Sequence, residues 1–331
     1  MTGAQAEQFA PVAVVSRNGV DESVHFGAAV CIAVDGSVAH TVGDGSVAVY
    51  PRSSTKPLQA LAMVRAGLAL PPRLLALVCA SHNGQQMHLD GVREILATAG
   101  LDESALRNIA DHPLHAASAH DAVRAGREKS PLQMNCSGKH AGMLATCVVN
   151  GWPLETYLDP AHPLQLAIND AVTGLCGEPV AIGTDGCGAP AHVIPLESLA
   201  RAFRAIAVGD AGAAGNQVFE AMSNHSDMVG GDDRDVTQIV SALPGFFAKD
   251  GAEAVYAGAS SDGRAAAVKI SDGGGRGRVT VFLAALETLG FDVSTLAEVL
   301  AERVLGHGKP VGGVRAVGFG AHVAPRVPVS D

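Results

Sequence analysis

Four short segments and one lone lysine combine residue types that do chemistry. Ser53-Ser54-Thr55-Lys56 has the spacing S-x-x-K. If it opens a helix, positions i and i+3 share a face, and the Lys56 amine can reach the Ser53 hydroxyl. A lysine that is desolvated, or set beside a positive helix end, gives up its proton more readily and can then activate a serine. Ser81-His82-Asn83 is a polar turn after an apolar helix. Asn135-Cys136-Ser137-Gly138-Lys139-His140 places Cys136 and Lys139 at the same i, i+3 spacing. In Asp185-Gly186-Cys187-Gly188-Ala189-Pro190 the glycines let backbone approach a ligand, and Asp185 could pair with a substrate amine. Lys269 lies inside the apolar run AAAVKI.

Each has a plain structural reading. A serine before a helix is a normal cap, with Ser54 the better placed, and the lysine beside it can be an exposed surface charge. Ser and Asn suit turns. A strand lysine can point to solvent. Lysine usage argues the other way. The chain has only six lysines, at 56, 129, 139, 249, 269 and 309, among 23 basic residues. Where positive charge alone is needed it uses arginine, which effectively cannot be deprotonated.

The elements that must hold these residues follow from periodicity. VHFGAAVCIAVD and SVAHTV read as a hairpin turning at Asp35-Gly36. KPLQALAMVRAGL is an apolar-periodic helix. Further helices are expected from Pro71 to Cys79, Met87 to Ala99, through NCSGKHAGMLATCVV, His162 to Leu175, Leu196 to Val208 and Asn216 to Ser226. AEAVYAGA and AAAVKI read as strands, RVTVFLAAL as a strand turning into a helix, and Val293 to Leu305 as the last helix. Strands, a mostly helical middle, then strands again predict an α+β fold. The N- and C-terminal strands are expected to share one antiparallel sheet, with sheet-forming parts at about 10–50 and 250–290. The helical middle covers about 53–245, within a single domain of residues 1–331.

Composition narrows the partners. The formal charge is -10, with 47% hydrophobic and 4% aromatic residues. An acidic chain with no basic cluster argues against nucleic acid and anionic membranes. No apolar run is long enough to span a bilayer, and the start of the sequence does not read as a signal peptide. A cytoplasmic protein with thiols rather than disulfides is therefore expected. Cys31, Cys79, Cys147 and Cys176 read as small buried hydrophobes. No dinucleotide or P-loop motif occurs, so no organic cofactor is expected.

S-x-x-K, then S-x-N, then a late-strand lysine is the order of the β-lactamase and penicillin-binding-protein site. Lys269-Ile270-Ser271 departs from the K-T-G of those proteins. The same segments resemble the serine–lysine bacterial L-asparaginases (asparaginase II, class 3), whose fold is β-lactamase/glutaminase-like. The matching runs are Arg17-Asn18-Gly19, Glu22 to Gly27, Arg52 to Pro57, Cys79 to His82, Asn135 to Leu144, Asp185 to Pro190, and Gly251 to Ala254 leading to Lys269.

The resemblance implies two pairs, Ser53 with Lys56 and Ser81 with Lys269. It also implies Cys136, Lys139 and Cys187 gathered near the substrate as possible zinc ligands, and a homodimer. The expected reaction is hydrolysis of L-asparagine to L-aspartate and ammonia through an acyl-enzyme on Ser53, with Ser81 as the competing nucleophile. Arg52, His82, Asp185, Cys136 and Cys187 are the expected substrate-binding residues. A glutaminase, a β-lactamase-like acyl hydrolase and a non-catalytic amino-acid-binding protein are the other readings. Gly230-Gly231-Asp232-Asp233-Arg234-Asp235 departs from the Gly-Arg-Phe-Asp-Thr-like run of relatives, with an extra acid and no aromatic residue.

Overall fold

The computed structural model describes residues 3–320. The chain forms two compact units. One comprises residues up to Ser54, Ile194–Val208 and those from Asp250 on; the other comprises Thr55–Val193 and Gly209–Lys249.

The first unit is built on an antiparallel sheet. Its strand order is Arg303–Gly306, Lys309–Ala316, Ala10–Arg17, Val20–Ile32, Ala265–Ile270, Val255–Ser260, with Val38–Val42 also paired to Val20–Ile32. Val20–Ile32 organises it. Its first half pairs with Ala10–Arg17, and its second half lies between Val38–Val42 and Ala265–Ile270. That second half, Gly27–Ile32, is buried without alternation, as a strand covered on both faces must be.

The helix Arg278–Thr288 lies on the face that carries Cys31, whose thiol donates to the Ala285 carbonyl. On the same strands Tyr256 stacks on Phe282 with ring centroids 4.2 Å apart. Val30 points to the other face, toward Gly45 and the Glu197 side chain, at the start of the helix Leu196–Ala207. The α+β class and the joining of N- and C-terminal strands in one antiparallel sheet hold.

Three local readings change. RVTVFLAAL is helical from Arg278; its β-branched residues gave a strand signal that burial against the sheet overrides. The last helix is short, Ser294–Val299, and a hairpin follows it, turning at His307-Gly308, both at positive φ. Its strands are glycine-rich and carry little propensity of their own. Phe246–Gly251 is a further strand that the sequence reading passed over.

The second unit is helical. Lys56–Arg65 packs on Ser137–Asn150, Pro163–Cys176 and Gly212–Asn224. The short helix Pro72–Val78 also packs on Ser137–Asn150, and Leu74 to Val78 are all buried. Two glycines four residues apart make that approach close. A Cβ on Gly138 would come 2.3 Å from the Leu77 carbonyl oxygen, and one on Gly142 would come 2.7 Å from a Val78 methyl. Ser81, just past the end of the short helix, is thereby brought against the start of Ser137–Asn150. Among the described residues no helix is long and apolar enough to cross a membrane.

Candidate active site

Lys56 is the first residue of its helix and is buried. The preceding residues Arg52–Thr55 form a 3₁₀ turn, and Thr55 makes no side-chain cap bond. The Lys56 ammonium donates to three acceptors: the Ala80 carbonyl, Ser81 Oγ at 3.2 Å and Cys136 Sγ at 3.1 Å. Three acceptors match the three protons of an ammonium. The S-x-x-K spacing had pointed this amine at Ser53; its serine partner here is Ser81.

A second lysine sits one turn into the neighbouring helix. Lys139 Nζ donates to Cys187 Sγ at 3.1 Å, and both residues are buried. Cys187 is presented by a tight loop in which Asp185 N–H donates to the Ala189 carbonyl and Gly188 adopts positive φ. The two thiols titrate apart. The hydrogen bond from Cys136, then Lys139, holds Cys187 far below an ordinary thiol against the opposing cost of burial. The same hydrogen bond, with burial, pushes Cys136 up. Burial alone would lower Lys139, but the charges at Cys187, Cys136 and Asp185 outweigh it and raise this amine. The Lys139 amine thus faces the more acidic of the two thiols. The remaining cysteines behave as buried hydrophobes: desolvation pushes Cys31, Cys79, Cys147 and Cys176 up to about 12.

His82 is fully buried. Its Nδ1 accepts from Gly84 N–H at 3.0 Å, and its Nε2 donates to Ser137 Oγ at 2.9 Å, since that hydroxyl is committed to the Leu132 carbonyl. Desolvation, with His88, Lys56 and Arg234 nearby, holds it neutral, well below an ordinary histidine. His82 therefore ties the Ser81 turn to the helix that carries Lys139. His140, also buried, shares a 2.7 Å hydrogen bond with Tyr157 Oη. That hydroxyl also accepts the Arg107 N–H at 3.2 Å.

The other expected residues belong to the first unit. Arg52 has φ 54, a left-handed conformation costly for a residue with a Cβ, and Ser53 beside it is half-buried. Their segment is pressed against Gly251, where a Cβ would come 2.3 Å from the Pro51 carbonyl oxygen. Lys269 is buried and donates to the carbonyls of Glu253, at 2.6 Å, and Ile270. Glu253 and Ala254 are both left-handed, at φ 60 and 53, which turns the Glu253 carbonyl onto that amine. Desolvation lowers Lys269, against the pull of Glu253 and Asp272. The structure thus joins Lys56 with Ser81 and Cys136, and Lys139 with Cys187. It joins Lys269 to main-chain carbonyls.

Two thiols suit zinc, and the amine beside them would be an unusual third ligand. As arranged, however, Lys139 is a protonated donor with no lone pair to give. Among the described residues no group of three or more His, Cys, Asp or Glu could hold a metal ion. A metal would first have to displace the Lys139 proton.

The sequence reading missed Lys249, Arg234 and the Tyr157–His140 pair. Lys249 is fully buried in the strand Phe246–Gly251. Its only sequence signal was a lysine directly after an apolar run. Arg234 donates to the Ser81 carbonyl from a segment noticed only for departing from its relatives.

The family model described as L-asparaginase II matches residues 13–316. A search of curated proteins finds no match. Among solved structures, "Crystal Structure Analysis of Mglu" is 16% identical, with 84% of this chain and 71% of that chain covered and a TM-score of 0.36. "Crystal Structure Analysis of Mglu in its native form" is 15% identical, with 84% and 68% covered and the same TM-score of 0.36. Likeness at that level carries no argument about what this chain does.

Proposed function

This chain belongs to the L-asparaginase II family, and we propose that it hydrolyses L-asparagine to L-aspartate and ammonia through a lysine-activated serine. The observation that supports this most is the buried Lys56 amine 3.2 Å from Ser81 Oγ. In the proposed reaction Lys56, once deprotonated, takes the proton of the attacking hydroxyl. The oxygen forms a bond to the side-chain amide carbon, and backbone N–H groups stabilise the resulting oxyanion. The C–N bond then breaks as the nitrogen gains a proton and leaves as ammonia. Water hydrolyses the acyl-enzyme and restores the serine.

Geometry favours Ser81 as the hydroxyl that Lys56 serves. Ser53 is the second candidate, favoured by its S-x-x-K spacing and by an exposure greater than that of Ser81. Lys269 is proposed to assist proton transfer to the leaving nitrogen. By charge, Asp185 suits the ammonium and Arg52 the carboxylate of an α-amino acid. His82, Cys136 and Cys187 are proposed to shape the wall of the site. Zinc at Cys136, Lys139 and Cys187 remains a proposal that requires Lys139 to lose its proton first.

The test is ammonia release from L-asparagine, L-glutamine and a β-lactam, each with zinc added and with a chelator. Preference for asparagine supports the proposal; preference for glutamine or the β-lactam replaces it. Calorimetry showing asparagine binding without turnover would leave a binding protein. Mass spectrometry of the acyl-enzyme trapped by rapid acid quench locates the acyl group on Ser81 or Ser53. The homodimer and cytoplasmic location implied by the resemblance belong to the same proposal, tested by light scattering and cell fractionation.

A further inference from the structure

The turn that carries Ser81 is laced to the segment 229–235 along its whole length. Ser81 N–H donates to the Val229 carbonyl at 3.1 Å, and Asn83 N–H to the Gly230 carbonyl at 2.8 Å. Asn83 Nδ2 donates to the Asp232 carbonyl at 2.8 Å. The Gln85 amide closes a ring with Asp232, giving a hydrogen bond to its carboxylate at 2.9 Å and taking one from its N–H at 3.0 Å. Gly231 permits this approach. It has φ +111, and a Cβ there would come 2.5 Å from Gln85 Oε1 and 2.8 Å from Asn83 Cβ.

Arg234 completes the lacing from the side. Its Nη1 donates to the Ser81 carbonyl at 3.0 Å and to Asn83 Oδ1 at 3.3 Å. The two peptide groups that flank Ser81 Cα are consequently both pinned. The peptide before it is held by Lys56 on the Ala80 carbonyl and by Val229 on the Ser81 N–H. The peptide after it is held on its carbonyl by Arg234 and on its His82 N–H by the Asn135 carbonyl at 3.1 Å. With both planes fixed, the Cα–Cβ bond has one direction, and one side-chain rotation sets Oγ against Lys56. Without Arg234 the second peptide keeps a single tether, from His82 N–H to the Asn135 carbonyl, about which the Ser81 carbonyl and the Cα–Cβ direction can swing. Misplacement on the ångström scale can cost a catalytic group about 10²-fold.

We infer that Arg234 is a positioning residue that holds Ser81 Oγ against Lys56 by clamping the Ser81 carbonyl and the Asn83 side chain. This rests on the reading of Ser81 and Lys56 as working groups. It gives a use to a segment whose sequence departs from the run found in relatives: the arginine and the two glycines make the clasp, and no aromatic residue takes part in it.

The experiment measures kcat and KM for asparagine in Arg234→Ala, Arg234→Lys, Ser81→Ala, Lys56→Met and the double variant Arg234→Ala/Lys56→Met. Arg234→Ala is expected to lower kcat at least 10-fold with KM changed less than about twofold, because a clamp acts on the reacting group. A lysine offers donors without the planar fork, so Arg234→Lys is expected to recover part of kcat and to keep the test open if the alanine variant does not fold. In the Lys56→Met background, removal of Arg234 is expected to cost less than threefold, because a clamp has no effect once its target is idle.

A raised KM with unchanged kcat in Arg234→Ala would make Arg234 a substrate-binding residue and overturn the inference. Full additivity in the double variant would overturn it too. Ser81→Ala separates the two levels. If it retains wild-type turnover, the reading of Ser81 fails and takes the clamp with it. If it is inactive while Arg234→Ala matches wild type, only the clamp fails.

Discussion

Lys56 Nζ stands 3.2 Å from Ser81 Oγ, with both residues buried and the other Lys56 protons directed to the Ala80 carbonyl and Cys136 Sγ. The amine is therefore set as a donor at rest and must lose a proton before it can act as a base; Ser81 then becomes the donor across the same short gap. Methionine matches the length of lysine without the amine. Lys56→Met is expected to lower kcat by about 10²–10⁴-fold, the usual worth of a positioned general base. Lys56→Arg is expected to be no better, because a guanidinium does not deprotonate. Ammonia release at saturating asparagine reads both. Turnover within threefold of wild type in either variant would remove Lys56 from the mechanism.

The helix packing behind this arrangement rests on two absent side chains. A Cβ on Gly138 would meet main-chain oxygen at Leu77, which cannot rotate away. Gly138→Ala is expected to destabilise the protein by about 2–3 kcal/mol, the upper part of the range for overpacking. Gly174 is the control. It lies in the helix Pro163–Cys176 with nothing within 4 Å of an added Cβ. Gly174→Ala is expected to stabilise by about 0.5–1 kcal/mol through helix propensity alone. Urea midpoints of the two variants should move in opposite directions.

How far the sequence reveals this site depends on the range of the interaction. The S-x-x-K spacing singled out Lys56 and paired it with Ser53. That pairing assumed a helix running through both residues. Here the α-helix begins at Lys56 and Ser53 lies in the 3₁₀ turn before it, while the Lys56 amine donates to Ser81 Oγ. Cys136-x-x-Lys139 at the start of Ser137–Asn150 and the Asp185–Pro190 loop were legible because glycine spacing and local turns define them. Arg234 on the Ser81 carbonyl, and Tyr157 on His140, were not. Each lies beyond the reach of a helical or strand period, with Arg234 and Ser81 153 residues apart and His140 and Tyr157 17 apart, and neither partner carries a local signal. The hairpin at 303–316 escaped for a different reason, since its glycine-rich strands are selected by the sheet they join.

The clasp contains one strained residue that its hydrogen bonds do not require. Asp233 is exposed at the tip of the segment with φ 58. Glycine adopts that conformation without a Cβ clash, and no packing is lost at an exposed tip. Asp233→Gly is expected to stabilise the protein by about 0.5–1 kcal/mol, the reverse of placing a side chain at positive φ. Chemical denaturation checks it, and a lower urea midpoint would show that the aspartate makes a compensating contact.

Lys269 gives the protein a pH dependence whose sign follows from its burial. Desolvation lowers it from the ordinary 10.5, against the opposing pull of Glu253 and Asp272. Between its folded pKa and 10.5 the unfolded chain binds more protons at this site than the folded chain, so stability rises with pH across that window. Below the folded pKa the full cost of burying the ammonium is present. Lys269→Met removes the titrating group. The difference in unfolding free energy, wild type minus Lys269→Met, is therefore expected to grow as pH rises toward 10.5. Comparing the two proteins cancels the tyrosines and cysteines that titrate nearby. Urea unfolding of both at several pH values between about 7 and 10.5 measures the difference directly. A gap that stays constant would mean that Lys269 titrates alike in the folded and unfolded chains, and a gap that narrows would mean that the two main-chain carbonyls and the neighbouring acids outweigh the cost of burial.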